Sequence, residues 1–223
     1  MKRRIDPVAA SLIHLVRHGE VHNPEGVLYG RIPGFHLSEL GFAMAASAAQ
    51  HLVGRPVTAL FSSPLQRAQE SATPWTDTFG LDITTEGRLI EPHNKFEGGV
   101  LEFGPSLLLH PRTWPWIYNP YRPSWGEPFV EVAARMIAAM DAAWEATEGD
   151  AVMVSHQMPI VMAQRAVAGK HLWHDPRKRR CSLSSVTTFA RKEAAPGAPR
   201  YREVNYREPA AALLSHAVDT GAV

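Results

Sequence analysis

The feature that most constrains this chain is a short apolar run, Leu12 to Val16, that ends in Arg17, His18 and Gly19. An apolar run of this length that stops at polar residues and glycine predicts a buried strand of a mostly parallel sheet. Ligands of such sheets bind at the carboxyl ends of the strands. We therefore expect Arg17 and His18 to project into a crevice that binds an anion. Gly19 permits a tight turn or a close approach of the backbone there.

The composition indicates a globular protein with a core of its own. The 223 residues are 45% apolar, and 23 basic residues nearly balance 22 acidic ones, which leaves a formal charge of +1. Such a balance argues against nucleic acid or an anionic membrane as partner, and no apolar window reaches the roughly 18 residues of a membrane span. The single cysteine, Cys181, excludes an internal disulfide and favours a reducing compartment. The basic start leads into Ile5-Asp6-Pro7 rather than into the apolar core of a signal peptide. We expect a cytoplasmic protein.

Strand-like and helix-like segments alternate along the chain, which predicts βαβ units. The predicted strands after the first are 57–61, 81–85, 151–155, 182–189 and 201–206, and the last two are expected at sheet edges. The predicted helices include 39–53, 129–147 and 159–168. A further helix is expected to start at Ser63-Pro64-Leu65-Gln66, with Ser63 as its cap. The expected fold is α/β, a three-layer sandwich with a mostly parallel central sheet flanked by helices.

One domain is expected to span 1–223, with two segments set apart from its core. Residues 92–128 hold seven of the eighteen prolines and three of the six tryptophans. An insertion of that length is typically a functional lid over the strand ends, and a packed excursion that covers the core is the alternative. Residues 208–223 are expected to form a flexible tail.

Charged and nucleophilic side chains follow several predicted strands. His18 and His156 each close a buried strand, and Arg17 and Arg67 lie at strand-to-helix junctions. Arginine forks match phosphate oxygens, and the first amides of a helix add further donors. One histidine could attack phosphorus while the other steadies its oxygens, and Glu91 could protonate the leaving oxygen. These residues together predict an anion-binding site suited to a phosphoryl group.

Five blocks in order resemble the phosphoglycerate mutase-like branch of the histidine phosphatase superfamily. The blocks are Leu15 to Glu20 with Asn23, Leu37 to Gly41, Phe61 to Ala68, Glu91 with 96–98, and Val154 to His156. The resemblance implies that His18 is the nucleophile that forms a phosphohistidine and that Glu91 is the general acid and then the base. In that role His18 must attack as a neutral imidazole, and we expect its second nitrogen to be held by a backbone carbonyl in the following turn. The phosphoryl-binding residues that it implies are Arg17, Asn23, Arg67 and His156. It also implies that no metal and no organic cofactor takes part.

Three further residues are candidates for contact with the substrate. Gln157 follows His156 where this family often has glycine. We expect Gln157, Arg31 and His93 at the mouth of the site, where they could contact the substrate. The basic run 177–180 is interpreted as a solvated turn.

The sequence after Glu91 favours a hydrolase. It lacks the paired arginines and the extended basic segment with which cofactor-dependent members of the resembled family hold a second acidic group. We therefore expect a phosphomonoesterase that acts on a small phosphorylated metabolite, with a phosphoglycerate mutase as one alternative. A catalytically silent module that binds phosphorylated ligands is the other, although a binder would not need Glu91. The expected partner is a small phosphate ester. A homodimer is compatible with the sequence, which leaves the oligomeric state open.

Overall fold

A computed structural model describes residues 11–95, 97–99, 126–193 and 199–219. Its strands are β1 (Leu12–Arg17), β2 (Val57–Ser62), β3 (Ile83–Thr85), β4 (Asp150–Ser155), β5 (Val186–Arg191) and β6 (Tyr201–Arg207). They form one sheet in the order β3-β2-β4-β1-β5-β6. Strands β3, β2, β4 and β1 run parallel, whereas β5 is antiparallel to both of its neighbours, β1 and β6. The predicted mostly parallel sheet is confirmed.

Helices cover both faces of this sheet. They are α1 (Glu39–His51), α2 (Gln66–Phe79), α3 (Phe129–Glu145), α4 (Gln157–Val167) and the short α5 (Ala211–Leu214), with 3-10 turns at Gly87–Leu89 and Pro176–Lys178. Successive strand residues point to opposite faces. Leu15 and Met153 therefore join the core formed with α3 and α4, while Val16 and Val154 join the core formed with α1 and α2. Both faces of the central strands are apolar, so the sheet is buried between two helical layers and the three-layer arrangement is confirmed.

The start of α2 differs from the prediction. The helix begins at Gln66 with Leu65 as its N-cap, and no side chain caps it. The prediction that Ser63 caps this helix is therefore wrong. Its hydroxyl group lies 3.4 Å from the amide of Leu65, but 2.7 Å from Nε2 of His156. Ser63 is thus turned toward the carboxyl edge of the sheet, where it interacts with a residue 93 positions away.

Two other predicted boundaries shift. Strand β5 lies between β1 and β6, so only β6 of the two late strands is at an edge, and β5 starts at Val186 rather than at residue 182. Helix α4 starts at Gln157, two residues earlier than predicted, because Pro159 falls within its first turn, where no intrahelical amide bond is lost.

The described part of the C-terminal segment is packed against the rest of the chain. Ala210 is buried in a small cluster with Met44 and Leu183, and Leu213 packs against that cluster. The amide of Val218 donates a 2.7 Å hydrogen bond to Oε1 of Glu20. These contacts differ from the flexible tail that is expected for 208–223, because the apolar side chains of α5 find a partner surface that the local sequence does not reveal.

Most of the predicted lid, residues 96 and 100–125, lies outside the described residues, so its role stays a prediction. Within the described ranges, no helix combines the length and the apolar character needed to cross a membrane.

Candidate active site

The two strand-terminal histidines lie side by side. Strands β1 and β4 are adjacent and parallel, with Arg17 paired to Ser155, so His18 and His156 leave the sheet at the same level. Their ring centroids are 5.2 Å apart and the rings are inclined at 60°. Both side chains are buried. The predicted convergence of these histidines at the carboxyl edge of the sheet is confirmed by this geometry.

His18 is held as a neutral imidazole. Its Nδ1 lies 2.7 Å from the carbonyl oxygen of Gly19, which can only accept, so Nδ1 carries the proton and Nε2 keeps a free electron pair. Burial, together with the nearby charges of Arg67 and Arg17, holds the pKa of His18 well below its usual range. The imidazole is therefore uncharged at neutral pH and oriented by the carbonyl in the following turn, as the sequence predicts.

Gly19 is required by a close approach of two backbone segments. A Cβ atom at this position would lie 2.3 Å from the carbonyl oxygen of Gly41, and a Cβ atom at Gly41 would lie 2.1 Å from that of Glu20. The sequence leaves open whether Gly19 serves a turn or a close approach. The structure places the start of α1 directly against it, which fixes the turn that carries His18.

Arg17 is fully buried at the end of β1. Its Nη1 donates to the carbonyl oxygen of Cys181 at 2.7 Å and to Oδ2 of Asp219 at 2.8 Å, and its Nη2 donates to Oδ1 of the same carboxylate. Burial acts to lower the pKa of Arg17, but the Asp219 carboxylate outweighs it and the pKa is raised. Arg17 is a permanent cation beside His18.

Arg67 supplies a second buried cation from the first turn of α2. Its Nη2 donates to the carbonyl oxygen of Gly30 at 2.7 Å, and its guanidinium lies 4.7 Å from the centre of the Tyr29 ring. Burial raises the pKa of Tyr29 to about 12, so its hydroxyl group stays protonated at neutral pH. The face of this neutral ring makes a cation–π contact with Arg67. The first loop thereby orients Arg67 toward the histidines.

Glu91 is buried next to His156. Its Oε2 lies 3.7 Å from Nδ1 of that ring, and the preceding turn is tied to the sheet because the Ser155 hydroxyl donates to the carbonyl oxygen of Leu89 at 2.7 Å. Burial raises the pKa of Glu91 to about 7, although the charges of Arg67 and Arg179 act to lower it. The carboxyl group is thus about equally ready to give or to take a proton near neutral pH.

The other residues that the sequence suggests for this site lie in different places. Arg31 donates to the carbonyl oxygen of Glu91 at 2.6 Å, so it adjoins the site. Asn23 bonds the backbone of Val27 through both ends of its amide, at 2.9 and 3.0 Å, which closes the first loop. His93 is largely exposed, with its Nδ1 3.6 Å from Glu97.

Gln157, the first residue of α4, bonds with two groups near Arg17. It accepts a 3.1 Å hydrogen bond from Arg179, and its amide donates to the carbonyl oxygen of Cys181 at 3.4 Å. The same carbonyl accepts from Arg17, so Gln157 links Arg179 to the phosphoryl-binding arginine that the resemblance implies.

Arg179 is a site residue that the sequence interpretation misses. The basic run 177–180 is predicted to be solvated, and Arg177 is exposed as expected. Arg179 instead turns inward, where Nε lies 3.0 Å from Nε2 of His174 and where its charge reaches Glu91 and Arg17. Burial lowers the pKa of Arg179 to about 10, which still leaves it charged at neutral pH. Nothing in the run itself distinguishes the one inward arginine.

Several polar atoms of the site have no hydrogen-bond partner among the described residues. They are Nε of Arg17, Nε of Arg67, Nδ1 of His156 and Oε1 of Glu91, and all four are buried. A buried polar atom left in this state costs about 1–3 kcal/mol. Four such atoms at the edge of the sheet that carries His18 indicate a site built to receive a polar ligand.

Within the described ranges, no group of three or more histidine, cysteine, aspartate or glutamate side chains is arranged to hold a metal ion.

The chain is similar to known proteins in both sequence and fold. The model of the histidine phosphatase superfamily (branch 1) matches residues 13–204. The uncharacterized protein Rv0525 of Mycobacterium tuberculosis is 48% identical over 200 residues, which cover 89% of this chain and 96% of that protein. The probable phosphoglycerate mutase GpmB of Yersinia pestis is 33% identical over 184 residues, with 78% and 83% covered. A structure of mycobacterial glucosyl-3-phosphoglycerate phosphatase Rv2419c in complex with VO3 matches with a TM-score of 0.67 and 26% identity, over 87% of this chain and 98% of that one. With its two strand-terminal histidines and two buried arginines at the carboxyl edge of the sheet, this chain belongs to the histidine phosphatase superfamily.

Proposed function

We propose that this protein is a phosphomonoesterase that hydrolyses a small phosphorylated metabolite through a phosphohistidine at His18. The observation that carries the proposal is the set of four buried, unpartnered polar atoms around that histidine. A phosphoryl group offers acceptor oxygens to the Nε atoms of Arg17 and Arg67, and an ester oxygen to a protonated Glu91. The same dianionic group is attracted by two buried cations.

The first half of the reaction transfers the phosphoryl group to the enzyme. The free electron pair on Nε2 of His18 forms the N–P bond while the P–O bond of the ester breaks. Glu91 gives its proton to the departing oxygen, so the leaving group departs as a neutral alcohol. Arg17 and Arg67 stabilise the charge on the equatorial oxygens, which is the largest contribution that a protein makes to such a transition state.

The second half regenerates the enzyme. A water molecule attacks phosphorus, the N–P bond breaks and Glu91, now a carboxylate, takes a proton from the water. The products are inorganic phosphate, neutral His18 and protonated Glu91. A pKa of about 7 for Glu91 suits both directions of this proton transfer.

A phosphoglycerate mutase is the second candidate, because the relative from Yersinia pestis carries that name. In a mutase the phosphohistidine passes its phosphoryl group to an acceptor hydroxyl instead of water. Two observations support a hydrolase instead. A phosphatase has a similar structure, and the sequence after Glu91 lacks paired arginines.

The test is phosphate release from a panel of phosphomonoesters by the native chain and by His18→Ala, with His22→Ala as the matched control because His22 is exposed. We expect His18→Ala to lose on the order of 10³ to 10⁶ in rate and His22→Ala to stay near native. Rapid quenching should trap a phosphohistidine in the native chain and in His22→Ala but not in His18→Ala. Hydrolysis by His18→Ala at the native rate would refute the proposal, and turnover only with an added acceptor or a bisphosphorylated primer would favour the mutase.

A further inference from the structure

The C-terminal segment, residues 211–219, ends on the phosphoryl-binding arginine of the proposed function. Both oxygens of the Asp219 carboxylate accept from the two terminal nitrogens of Arg17, across 202 positions of the sequence. Arginine binds a phosphate group through the same kind of fork, and a phosphoryl group that accepts from the unpartnered Nε of Arg17 would take its second hydrogen bond from the adjacent Nη2, which Asp219 occupies. Arg17 is fully buried whereas Asp219 is 40% exposed, so the carboxylate approaches from the solvent side of the site.

The start of the segment is held more strongly than its end. Leu213 and Leu214 pack on the cluster of Met44 and Leu183, which anchors the segment through apolar burial. Beyond them, Val218 is 60% exposed and is held through its amide by Glu20. The end of the segment thus depends on a few polar contacts, which are the contacts that a competing anion can replace.

We propose that Asp219 competes within the chain with the substrate's phosphoryl group for Arg17. Binding of the phosphoryl group displaces the Asp219 carboxylate from Arg17 and thereby releases the end of the C-terminal segment. The inference rests on the proposed function in so far as Arg17 binds the phosphoryl group. A carboxylate attached to the chain is present at an effective concentration in the millimolar range or above. Only an anion that interacts more strongly with Arg17 than this carboxylate does can replace it.

Competition of this kind makes the site selective. A phosphomonoester carries close to two negative charges at neutral pH, whereas a carboxylate or a phosphodiester carries one. The dianion gains more from Arg17 and Arg67 together than Asp219 gains from Arg17 alone, whereas a free monoanion carries no more charge than Asp219 and lacks its attachment to the chain. Asp219 therefore acts as a specificity-determining residue that keeps metabolite carboxylates out of the site.

The rival role for Asp219 is that of a fixed partner that holds Arg17 in place while the substrate binds. The two roles predict opposite signs for Asp219→Asn. Loss of a competitor raises the affinity for inorganic phosphate, because no fraction of the protein is blocked, whereas loss of a fixed partner lowers it. Asp82→Asn is the matched control. Asp82 is exposed and directly precedes β3, the edge strand that lies three positions from β1 in the sheet order.

The experiment is calorimetric titration of the native chain, Asp219→Asn and Asp82→Asn with inorganic phosphate. We expect Asp219→Asn to bind phosphate at least about 5-fold more tightly, the lower end of ordinary coupling between sites, and Asp82→Asn to match the native chain. Equal or weaker binding by Asp219→Asn would overturn the proposal.

Hydrogen exchange of residues 211–219 provides a second readout that does not depend on the variant. Saturating phosphate should accelerate exchange at the end of this segment in the native chain, where the Val218 amide is bonded to Glu20, and leave it unchanged in Asp219→Asn, where that end is already released. Unchanged or slower exchange in the native chain would also overturn the proposal. Neither measurement depends on turnover. If the chain binds phosphate but hydrolyses no ester, the proposed function is refuted, and the two measurements still show whether Asp219 competes with phosphate.

Discussion

Nδ1 of His156 lies 3.7 Å from Oε2 of Glu91, and both side chains are buried at the carboxyl edge of the sheet. Burial moves their pKa values in opposite directions, since it disfavours the charged form of each group. The pKa of Glu91 rises to about 7, and that of His156 falls well below its usual range. The pair therefore combines a neutral imidazole with a carboxyl group that titrates near neutrality, which suits one oxygen-binding and one proton-transferring role.

Replacement of Glu91 should affect esters according to their leaving group. Glu91→Gln removes the proton donor, so hydrolysis of an alkyl phosphate should fall about 10²- to 10⁴-fold. A nitrophenyl phosphate should lose much less, because its leaving group departs without a proton. Steady-state rates for both esters check this, with Glu131→Gln on the exposed surface of α3 as control. Equal losses for the two esters would contradict the role of Glu91 as an acid.

Arg179 should tune the pH dependence of the reaction. Glu91 must be protonated for the first step, so kcat/KM for an alkyl phosphate should decline as the pH rises through about 7. The charge of Arg179 lowers the pKa of Glu91, and Arg179→Gln should therefore move this decline to higher pH. Arg177→Gln, at an exposed arginine paired with Asp175, should leave the profile in place. An unshifted or downshifted profile for Arg179→Gln would show that its charge does not reach Glu91.

Stability should decrease on mild acidification. His18 and His156 have lowered pKa values in the folded chain, so their contribution is present above about pH 6.5 and is lost as the pH falls. Glu91 has a raised pKa, so its contribution is present at low pH and is lost as the pH rises through about 7.

As the pH falls below about 6.5, both histidines become protonated in the unfolded chain before they do in the folded chain, whereas Glu91 is protonated in the folded chain alone until the pH approaches about 4.5. While the folded histidines stay neutral, the unfolded chain therefore binds two of these protons and the folded chain binds one. The free energy of unfolding should decrease by about 1.4 kcal/mol per pH unit from this site. Glu91→Gln removes the opposing proton and should approximately double the slope that these three groups produce. Urea unfolding at a series of pH values measures both slopes, and a shallower slope in Glu91→Gln would contradict the assignment.

Gly19→Ala should damage both stability and activity. The added methyl group would meet the carbonyl oxygen of Gly41 at 2.3 Å, and neither backbone segment is a flexible side chain that can move aside. We expect a loss of about 1–3 kcal/mol in unfolding free energy, as in other overpacked interiors, together with a displaced His18. Gly87→Ala is the control, because open space surrounds that glycine. Urea unfolding and phosphatase assays that fail to separate the two variants would contradict the close approach.

The residues of the site that the sequence identifies are those at the ends of apolar runs. The runs before His18 and His156 have no polar alternation, which predicts buried strands, and parallel strands present their carboxyl ends on one edge. Their adjacency is confirmed by the pairing of β1 with β4. The interpretation of Ser63 as a helix cap failed because its hydroxyl has a tertiary partner, His156, whose proximity no local pattern encodes.

The sequence by itself therefore determined the layered α/β arrangement and the residues that could carry phosphoryl chemistry, since both follow from hydrophobic periodicity and from side-chain type. Only the tertiary structure decided which cations and carboxylates meet. It turned Arg179 inward from an otherwise solvated basic run and brought Asp219 to Arg17 across 202 positions. Such contacts depend on how distant segments pack in three dimensions, and charge or spacing within one segment carries no information about a partner in another.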